Sequence, residues 1–360
     1  MDSVIYLIAS PLHLFVSLGL MCGPFRHHRH IVVLINRPSG QRDFLAEALE
    51  SECERRASVS RFPVLGRCEP ARKTLAEISN FVSRHAPAVI AVGCDEYLEF
   101  YAAVRGWPQA KRVFLEDGLY SYLPVRNPKP SWWQAISNWR RSLKYGVPVE
   151  RPAYLGGSRA VQESYVFMPR WVHRELARKP VHRLEREWFA DPWLRNICIA
   201  AAEAAGFDAQ RCRSIGLLML LPRLTLLQQS TELRQRFERI AHAHAKRGGL
   251  IAIKRHPRAR GTDFGLQLDL PSEQLIEIPP LLPSEALVPL LNGETLVVGA
   301  RTTALLTLAL LADQLRVRSV MSTSGETGAT ARFNEGALQI YQSVGIRTIE
   351  DDEIAALEQT

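Results

Sequence analysis

The sequence has no C-x-x-C pair, no phosphate-binding glycine loop and no nucleic-acid-binding signature, and each absence removes a class of protein. Its six cysteines are scattered over 360 residues, which argues against a disulfide framework or a zinc site and favours reduced thiols in the cytosol. The glycine pairs at 156–157 and 248–249 do not extend into a nucleotide-loop pattern, so NAD or ATP chemistry has no support. Without a helix-turn-helix, zinc-finger or RNA-binding pattern, we expect no nucleic-acid partner.

The N-terminal region is apolar but lacks the basic charge of a signal peptide. Residues 4–21 are mostly hydrophobic, and the only early charge is Asp2. Pro11 and His13 interrupt the run at its centre, where a membrane-spanning helix tolerates polar groups poorly. We interpret 4–8 as a buried strand that leads through a short loop into a helix.

What the sequence does contain is typical of a soluble globular protein. Hydrophobic residues make up 46% and charged residues 23%, and the formal net charge is +8. The excess of cations favours an anionic partner such as a nucleotide phosphate, an acidic glycan or a membrane surface. The length is sufficient for two domains, each with its own core.

Short apolar runs alternate with helical stretches in both halves of the chain. Such runs are typical of strands buried on both faces of a parallel sheet. The predicted strands are 4–8, 31–35, 88–92, 112–115, 217–221, 250–254, 275–278 and 296–298, and the predicted helices include 42–56, 71–85, 231–246 and 302–315. This alternation predicts an α/β protein of two Rossmann-like domains. The predicted boundaries are 1–190 for the N-terminal domain, with a helical basic-aromatic insertion at about 127–190, then a linker at 191–213, a C-terminal domain at 214–345 and a tail or helix at 346–360.

The first of three polar patches is Glu116-Asp117-Gly118, which follows the predicted strand 112–115. Ligands of open parallel sheets gather at the carboxyl ends of the strands. Two adjacent carboxylates suit general-base catalysis, because one can ionise while its neighbour and burial raise the pKa of the other. Gly118 lets the backbone turn. The alternative is that acidic residues and glycine simply make a turn or a helix cap.

The second patch, Lys254-Arg255-His256-Pro257-Arg258, closes the predicted strand 250–254. A histidine among cations can stay neutral and donate a hydrogen bond to a phosphate, or give a proton to a leaving oxyanion. The neighbouring cations would offset phosphate charge without a metal. A basic surface cluster is the competing interpretation.

The third patch, Arg301-Thr302-Thr303, lies between a predicted strand and an apolar helix. Two hydroxyls at a helix N-terminus add side-chain donors to backbone N–H groups and the positive end of the helix dipole, which together make an anion site. Threonine is also an ordinary N-cap.

Taken together, the three patches resemble the signatures of the bacterial sialyltransferases and polysialyltransferases. That family has an acidic pair with glycine, a later His-Pro and a still later Ser/Thr pair, which are similar to Glu116-Asp117-Gly118, His256-Pro257 and Thr302-Thr303 here. Glu285 resembles the family's glutamate for the cytidine ribose, and Ser10-Pro11-Leu12-His13 resembles its opening loop. The match covers roughly 4–20, 112–120 and 250–312. It departs from the family in the hydroxyl pair, where serine usually occupies at least one position and this chain has Thr302-Thr303.

The resemblance implies a GT-B arrangement, in which two Rossmann-like domains face each other across a cleft. It implies an inverting glycosyltransferase that uses a CMP-activated sialic acid or related nonulosonic acid, needs no metal or other cofactor, and extends a bacterial surface glycan such as capsule or lipooligosaccharide from the cytoplasm.

The site residues that follow from the resemblance and from the patches belong to three groups. The catalytic residues are Asp117 or Glu116, with a slight preference for Asp117 as the base, and His256. The residues that bind the CMP donor are Lys254, Arg255, Pro257, Glu285, Thr302 and Thr303, and those of the acceptor side are Ser10, Pro11, His13 and Gly118.

Two other functions stay open on the sequence alone. One is a different GT-B-like transferase of a cytidine nucleotide, either a CMP-Kdo glycosyltransferase or a CDP-polyol phosphotransferase. The other is a non-catalytic α/β nucleotide-binding protein.

A final stretch, 132–145, mixes three tryptophans with cations. Such a piece can lie at a lipid surface, which would place the protein peripherally on the inner membrane. It could equally pack on the core or line an acceptor groove.

Overall fold

The computed structural model describes residues 2–37, 42–52, 56–65, 69–124, 131–207, 209–256, 264–321 and 328–359. The chain divides into two compact units, Met1–Ile197 and Cys198–Thr360. Each unit is built on one parallel β-sheet, as the sequence predicts.

Seven strands of the described residues form the sheet of the first unit, in the order β3-β2-β1-β4-β5-β6-β7 with every neighbour parallel. The strands are β1 (Ser3–Ile8), β2 (Arg29–Arg37), β3 (Ala57–Pro63), β4 (Val89–Val92), β5 (Lys111–Leu115), β6 (Glu163–Val166) and β7 (Val181–Arg183). The central strands β1 and β4 are buried throughout, because helices cover both faces of a parallel sheet.

The helices of the first unit connect these strands. They are α1 (Pro11–Cys22), α2 (Phe44–Ser51), α3 (Glu69–His85), α4 (Leu98–Gly106), α5 (Ser131–Tyr145), α6 (Arg174–Ala177) and α7 (Arg186–Phe189), and α8 (Pro192–Ala204) continues into the second unit. A short 3-10 helix, Gly118–Ser121, follows β5.

The segment after β5 differs from the helical insertion predicted at 127–190. It contributes β6 and β7 to the sheet, and the predicted linker at 191–213 consists largely of helix α8 and helix α9 (Ala209–Arg213). The pattern hides β6 because its buried residues include Glu163 and Ser164, which are polar. Helix α8 is held by tertiary burial of Trp193 and Leu194, which a linker would expose.

The second unit repeats the arrangement with six strands of the described residues, in the order β10-β9-β8-β11-β12-β13 and again all parallel. The strands are β8 (Ile215–Leu220), β9 (Leu250–Lys254), β10 (Leu275–Ile278), β11 (Leu296–Gly299), β12 (Arg316–Ser319) and β13 (Arg347–Thr348). The remaining helices are α10 (Leu224–Gln229), α11 (Thr231–Lys246), α12 (Thr303–Leu311), α13 (Gly328–Ser343) and α14 (Asp351–Gln359).

Among the described residues, no helix combines the length and the apolar character that a membrane crossing needs.

Candidate active site

In the first unit, the predicted site residues His13 and Asp117 lie near the point where the strand order of the sheet reverses. Strands β1 and β4 are neighbours, and the chain continues outward from them in opposite directions. Crevices at the carboxyl ends of strands at such a switch point are the usual ligand sites of open α/β sheets. His13 follows β1, Gly93 follows β4 and Asp117 follows β5, so all three lie at this edge.

A histidine–aspartate pair occupies this edge. The Nε2 atom of His13 lies 2.6 Å from Oδ1 of Asp117, within hydrogen-bond range. The His13 side chain is 2% exposed, whereas that of Asp117 is 22% exposed. The buried Nδ1 of His13 has no hydrogen-bond partner among the described residues. In this geometry, a His13 ring with a proton on Nε2 donates to the Asp117 carboxylate.

Gly93 makes room for the His13 ring. A Cβ atom at position 93 would lie 2.2 Å from Cδ2 of His13 and 2.3 Å from its Nε2, far inside contact distance. Next to it, burial and the charge of Asp117 raise the pKa of the Cys94 thiol well above its usual value. The edge therefore brings together residues from three different strand ends.

Glu116 has a different environment from Asp117, although it is the adjacent residue. It is fully buried, and its Oε2 accepts hydrogen bonds from the Tyr122 hydroxyl and, at 2.9 Å, from the Phe167 N–H. Burial raises the pKa of Glu116 to about 7, against the opposing effect of these hydrogen bonds. Its contacts fasten β5 to the chain after β6, and Asp117 is the more accessible of the two carboxylates.

The other residues predicted for the acceptor side shape the backbone. Ser10 caps α1, because its hydroxyl accepts the His13 N–H at 3.2 Å, and Pro11 occupies the first helical turn. Gly118 has a φ of +68°, a left-handed conformation that favours glycine, and it begins the 3-10 helix after Asp117. The cap at Ser10 and the turn at Gly118 thus fix the positions of His13 and Asp117.

In the second unit, Lys254 ends β9 with a buried side chain. Its ammonium donates to the carbonyl of Pro280 at 2.9 Å and lies 3.5 Å from that of Pro279. Burial lowers the pKa of Lys254 to about 8, and the charge of Glu285 opposes that shift. Lys254 therefore holds the segment after β10 close to the end of β9.

The rest of the predicted basic patch is only partly described. Arg255 forms an ion pair with Glu277 of β10, with Nε 2.7 Å from Oε1. His256 is partly exposed two residues beyond β9. Pro257 and Arg258 lie outside the described residues.

Glu285 lies buried in a 3-10 helix, Ser284–Leu287. Its Oε1 accepts a hydrogen bond from the hydroxyl of Thr307, which lies on α12. Through Thr307, Glu285 is joined to the same helix that Thr302 and Thr303 begin.

The N-terminus of α12 follows β11, at the reversal in the second sheet between β8 and β11. Thr302 is the N-cap, and its Oγ1 accepts the Ala304 N–H at 3.3 Å. Arg301 adopts φ +50°, a strained conformation for a residue with a side chain. Strain of this kind is concentrated at binding and catalytic sites.

Sequence reasoning identified most of these positions but missed Gly93, Tyr122 and Thr307. A glycine immediately after a buried strand is the one available signal for Gly93. Tyr122 and Thr307 act through contacts that only the tertiary fold creates.

Comparisons with known proteins identify the fold. No family model matches the sequence, and no curated protein matches it either. Among solved structures, the chain is similar to the UDP-GlcNAc 2-epimerase of Methanocaldococcus jannaschii, with 11% identity and a TM-score of 0.52 over 100% of this chain and 92% of that one. It is also similar to the UDP-GlcNAc 2-epimerase of Neisseria meningitidis bound to UDP-GlcNAc, with 12% identity and a TM-score of 0.50 over 99% and 90% of the two chains.

The fold is of the GT-B type. The prediction of two parallel-sheet α/β domains of this class is confirmed. At such low identity the likeness concerns the fold alone.

Proposed function

We propose that the protein is an inverting glycosyltransferase that needs no metal. It would move sialic acid or a related nonulosonic acid from a CMP-sugar to a hydroxyl of a bacterial surface glycan. The fold supports the coarser part of this proposal, use of a sugar nucleotide, and the resemblance of the three patches supports the finer part.

The observation that carries the proposal is the hydrogen bond between His13 and Asp117 at the switch point of the first sheet. With Oδ1 engaged by the buried His13, Oδ2 of the partly exposed Asp117 is the oxygen that would take a proton. Holding a carboxylate in one orientation is what a general base requires, because proton transfer depends on geometry first.

The proposed step is a single displacement. The acceptor hydroxyl oxygen forms a bond to the anomeric carbon as the bond from that carbon to the CMP phosphate oxygen breaks. The hydroxyl proton goes to Asp117, and the bonding electrons leave with CMP. Attack from the face opposite the leaving group inverts the anomeric centre.

The second unit would stabilise the departing CMP. The Thr302 hydroxyl accepts one N–H as a cap and still has its own proton to donate, so it can serve a phosphate oxygen together with the helix N-terminus. His256 would donate to the same phosphate, and Glu285 would accept from the ribose hydroxyls. Lys254, whose ammonium is engaged by the Pro280 carbonyl, would act as a positioning residue.

A thermal-shift comparison of CMP, CDP, UDP and GDP tests the donor. Selective stabilisation by CMP is expected, since a ligand that binds only the folded state raises its stability. Stabilisation by UDP, with UDP-GlcNAc epimerised and CMP inert, would refute the proposal. Turnover of CDP-glycerol in place of CMP-sialic acid would favour the polyol phosphotransferase, and turnover of CMP-Kdo alone would favour the Kdo transferase.

The role of His256 is tested by substitution. His256→Ala should lower turnover of the CMP-sugar by about 10² or more, the usual loss for an acid–base or oxyanion group. A non-catalytic binding protein would instead transfer no sugar, and its ligand affinity would be unchanged in a variant with both Asp117→Ala and His256→Ala.

A further inference from the structure

Helix α5 carries a stripe of apolar side chains that points away from the first unit. Trp132, Ile136, Trp139 and Leu143 are spaced by three or four residues, so they lie on one face of the helix. Trp132 is 58% exposed, Trp139 is 62% exposed and Leu143 is 58% exposed. The adjacent Trp133 is also exposed, and its ring lies 5.0 Å from that of Trp132.

The side of α5 away from the stripe, which carries Gln134, Asn138 and Arg141, is less exposed than the stripe, and the C-terminal end of the helix is fastened to the first unit. Arg72 of α3 donates to the carbonyl oxygens of Leu143 at 3.0 Å and Lys144 at 2.9 Å. Arg105 of α4 donates to the Gly146 carbonyl at 2.5 Å, and Gln134 donates to the Arg151 carbonyl. The bonds from Arg72 and Arg105 satisfy carbonyl groups at the C-terminal end of α5, and the less exposed side of the helix faces the unit, so the apolar stripe faces outward.

Positive charge accompanies the stripe. Arg140 and Lys144 are exposed, and at about 100° per residue they lie along one flank of the stripe, beside Trp133. The helix itself contains no acidic residue. The less exposed Arg141, on the other side of the helix, is close enough to the buried Glu99 of α4 to oppose the rise that burial causes in the pKa of Glu99.

We propose that this stripe, defined by Trp132, Ile136, Trp139 and Leu143, docks on the surface of an anionic phospholipid bilayer. Its apolar side chains would enter the boundary between headgroups and acyl chains, as interfacial helices do. Arg140 and Lys144 would contact lipid phosphates, and the indole N–H groups suit the headgroup level. The proposal is independent of the sugar-nucleotide reaction.

A second copy of the chain fits the stripe less well than a bilayer. Helix α5 has 15 residues and is therefore about 22 Å long, whereas a stable dimer buries about 800 Å² on each partner from 20 to 30 residues. An antiparallel two-fold pair of α5 helices would also place Arg140 and Lys144 on the same side as their copies in the partner.

Vesicle co-sedimentation of the full chain tests the proposal. We expect binding to vesicles that mix phosphatidylglycerol with phosphatidylcholine and little binding to phosphatidylcholine alone. The double variant Trp132→Gln plus Trp139→Gln should bind at least about tenfold more weakly. Trp171→Gln is the matched control, because Trp171 is an exposed tryptophan of the same unit outside the stripe, and it should bind as the wild type does.

A second variant tests the charge. Arg140→Gln plus Lys144→Gln should weaken binding to anionic vesicles about 30-fold at low salt. Added salt should also weaken vesicle binding by the wild type, because it screens the charges. Circular dichroism and the unfolding temperature establish that each variant is folded. The proposal would be overturned if the wild type did not bind anionic vesicles, or if the tryptophan double variant bound them as strongly as the wild type. A wild-type dimer that the tryptophan double variant alone dissociates would also overturn it.

Discussion

The two units of this chain use the same strand order around the switch point but place different chemistry at the carboxyl edge of their sheets. The edge of the first unit carries a buried histidine that contacts a partly exposed carboxylate, Asp117. The adjacent carboxylate, Glu116, has a pKa that burial raises to about 7. The edge of the second unit carries a buried cation, a buried glutamate and a threonine-capped helix. If the proposed roles are right, a proton-transfer site and an anion site are built here on one scaffold, with different residues following the strands.

The difference also concerns how each edge is held together. In the first unit, side chains from distant strand ends contact each other directly, such as His13 and Asp117, 104 positions apart. In the second unit, backbone groups take part beside side-chain pairs, since Lys254 contacts the Pro280 carbonyl and Thr302 caps the Ala304 N–H. On the proposed assignment, substitution of Asp117 should mainly lower turnover, and substitution of Thr302 should mainly lower the affinity for the donor.

The largest effect is expected for Asp117→Asn. The amide cannot accept the proton of the acceptor hydroxyl, so turnover should fall by about 10² to 10⁴. The dissociation constant for CMP, measured by titration calorimetry, should stay within about twofold of the wild type. If Asp117→Asn and Glu116→Gln lowered turnover equally, Asp117 could not be distinguished from Glu116 as the general base.

Glu116→Gln should change the pH dependence of stability. The folded-state pKa of about 7 lies above the usual 4.5, so the folded protein binds the extra proton between these values. This group then lowers stability as pH rises from about 4.5 to 7, by up to about 3 kcal/mol. Glutamine removes the titration, so the variant should lose less stability than the wild type over this range.

Urea unfolding at pH 5 and pH 8 measures the effect in both proteins. Glu273→Gln, at an exposed position, serves as the control and should follow the wild type. A pH profile of Glu116→Gln that matches the wild type would show that Glu116 is ionised in the folded protein throughout.

The sequence predicts the central elements of both sheets well. Strand β9 and helix α11 have the predicted bounds, 250–254 and 231–246, because one is a continuous apolar run and the other is amphipathic and bounded by Ser230 and glycines. The sequence does not predict strand β12, because Arg316 and Arg318 interrupt the apolar run that marks a buried strand. Edge strand β3 was missed for a similar reason, because its alternating residues are half exposed.

The candidate site was predictable by position but not by contact. Strand ends before Glu116, Lys254 and Thr302 could be read from apolar runs. The pairing of His13 with Asp117 could not, because it depends on the lateral order of β1, β4 and β5, which no local pattern encodes. The same holds for the separation of Glu116 from Asp117, where one side chain is buried and its neighbour is not.

Gly93→Ala should disturb the His13–Asp117 pair without touching either residue. The added Cβ would overlap the imidazole, so we expect a loss of about 1–3 kcal/mol in the free energy of unfolding and a fall in turnover. Gly293→Ala is the matched control, since its nearest contact would be an ordinary 3.4 Å to Gln314. Unchanged turnover in a destabilised Gly93→Ala protein would mean that the orientation of His13 does not matter for the reaction.

The smallest effect, and the one that best isolates the second unit, is expected at Thr302. Thr302→Ala removes a helix cap, at a cost of about 1 kcal/mol in stability, and also the hydroxyl proposed for the phosphate. CMP affinity should fall by about tenfold, while the affinity for cytidine, which has no phosphate, should not change. Thr302→Ser keeps both the cap and the donor and should restore both properties. If alanine weakens CMP and cytidine equally, Thr302 acts on the fold of α12 and makes no contact with phosphate.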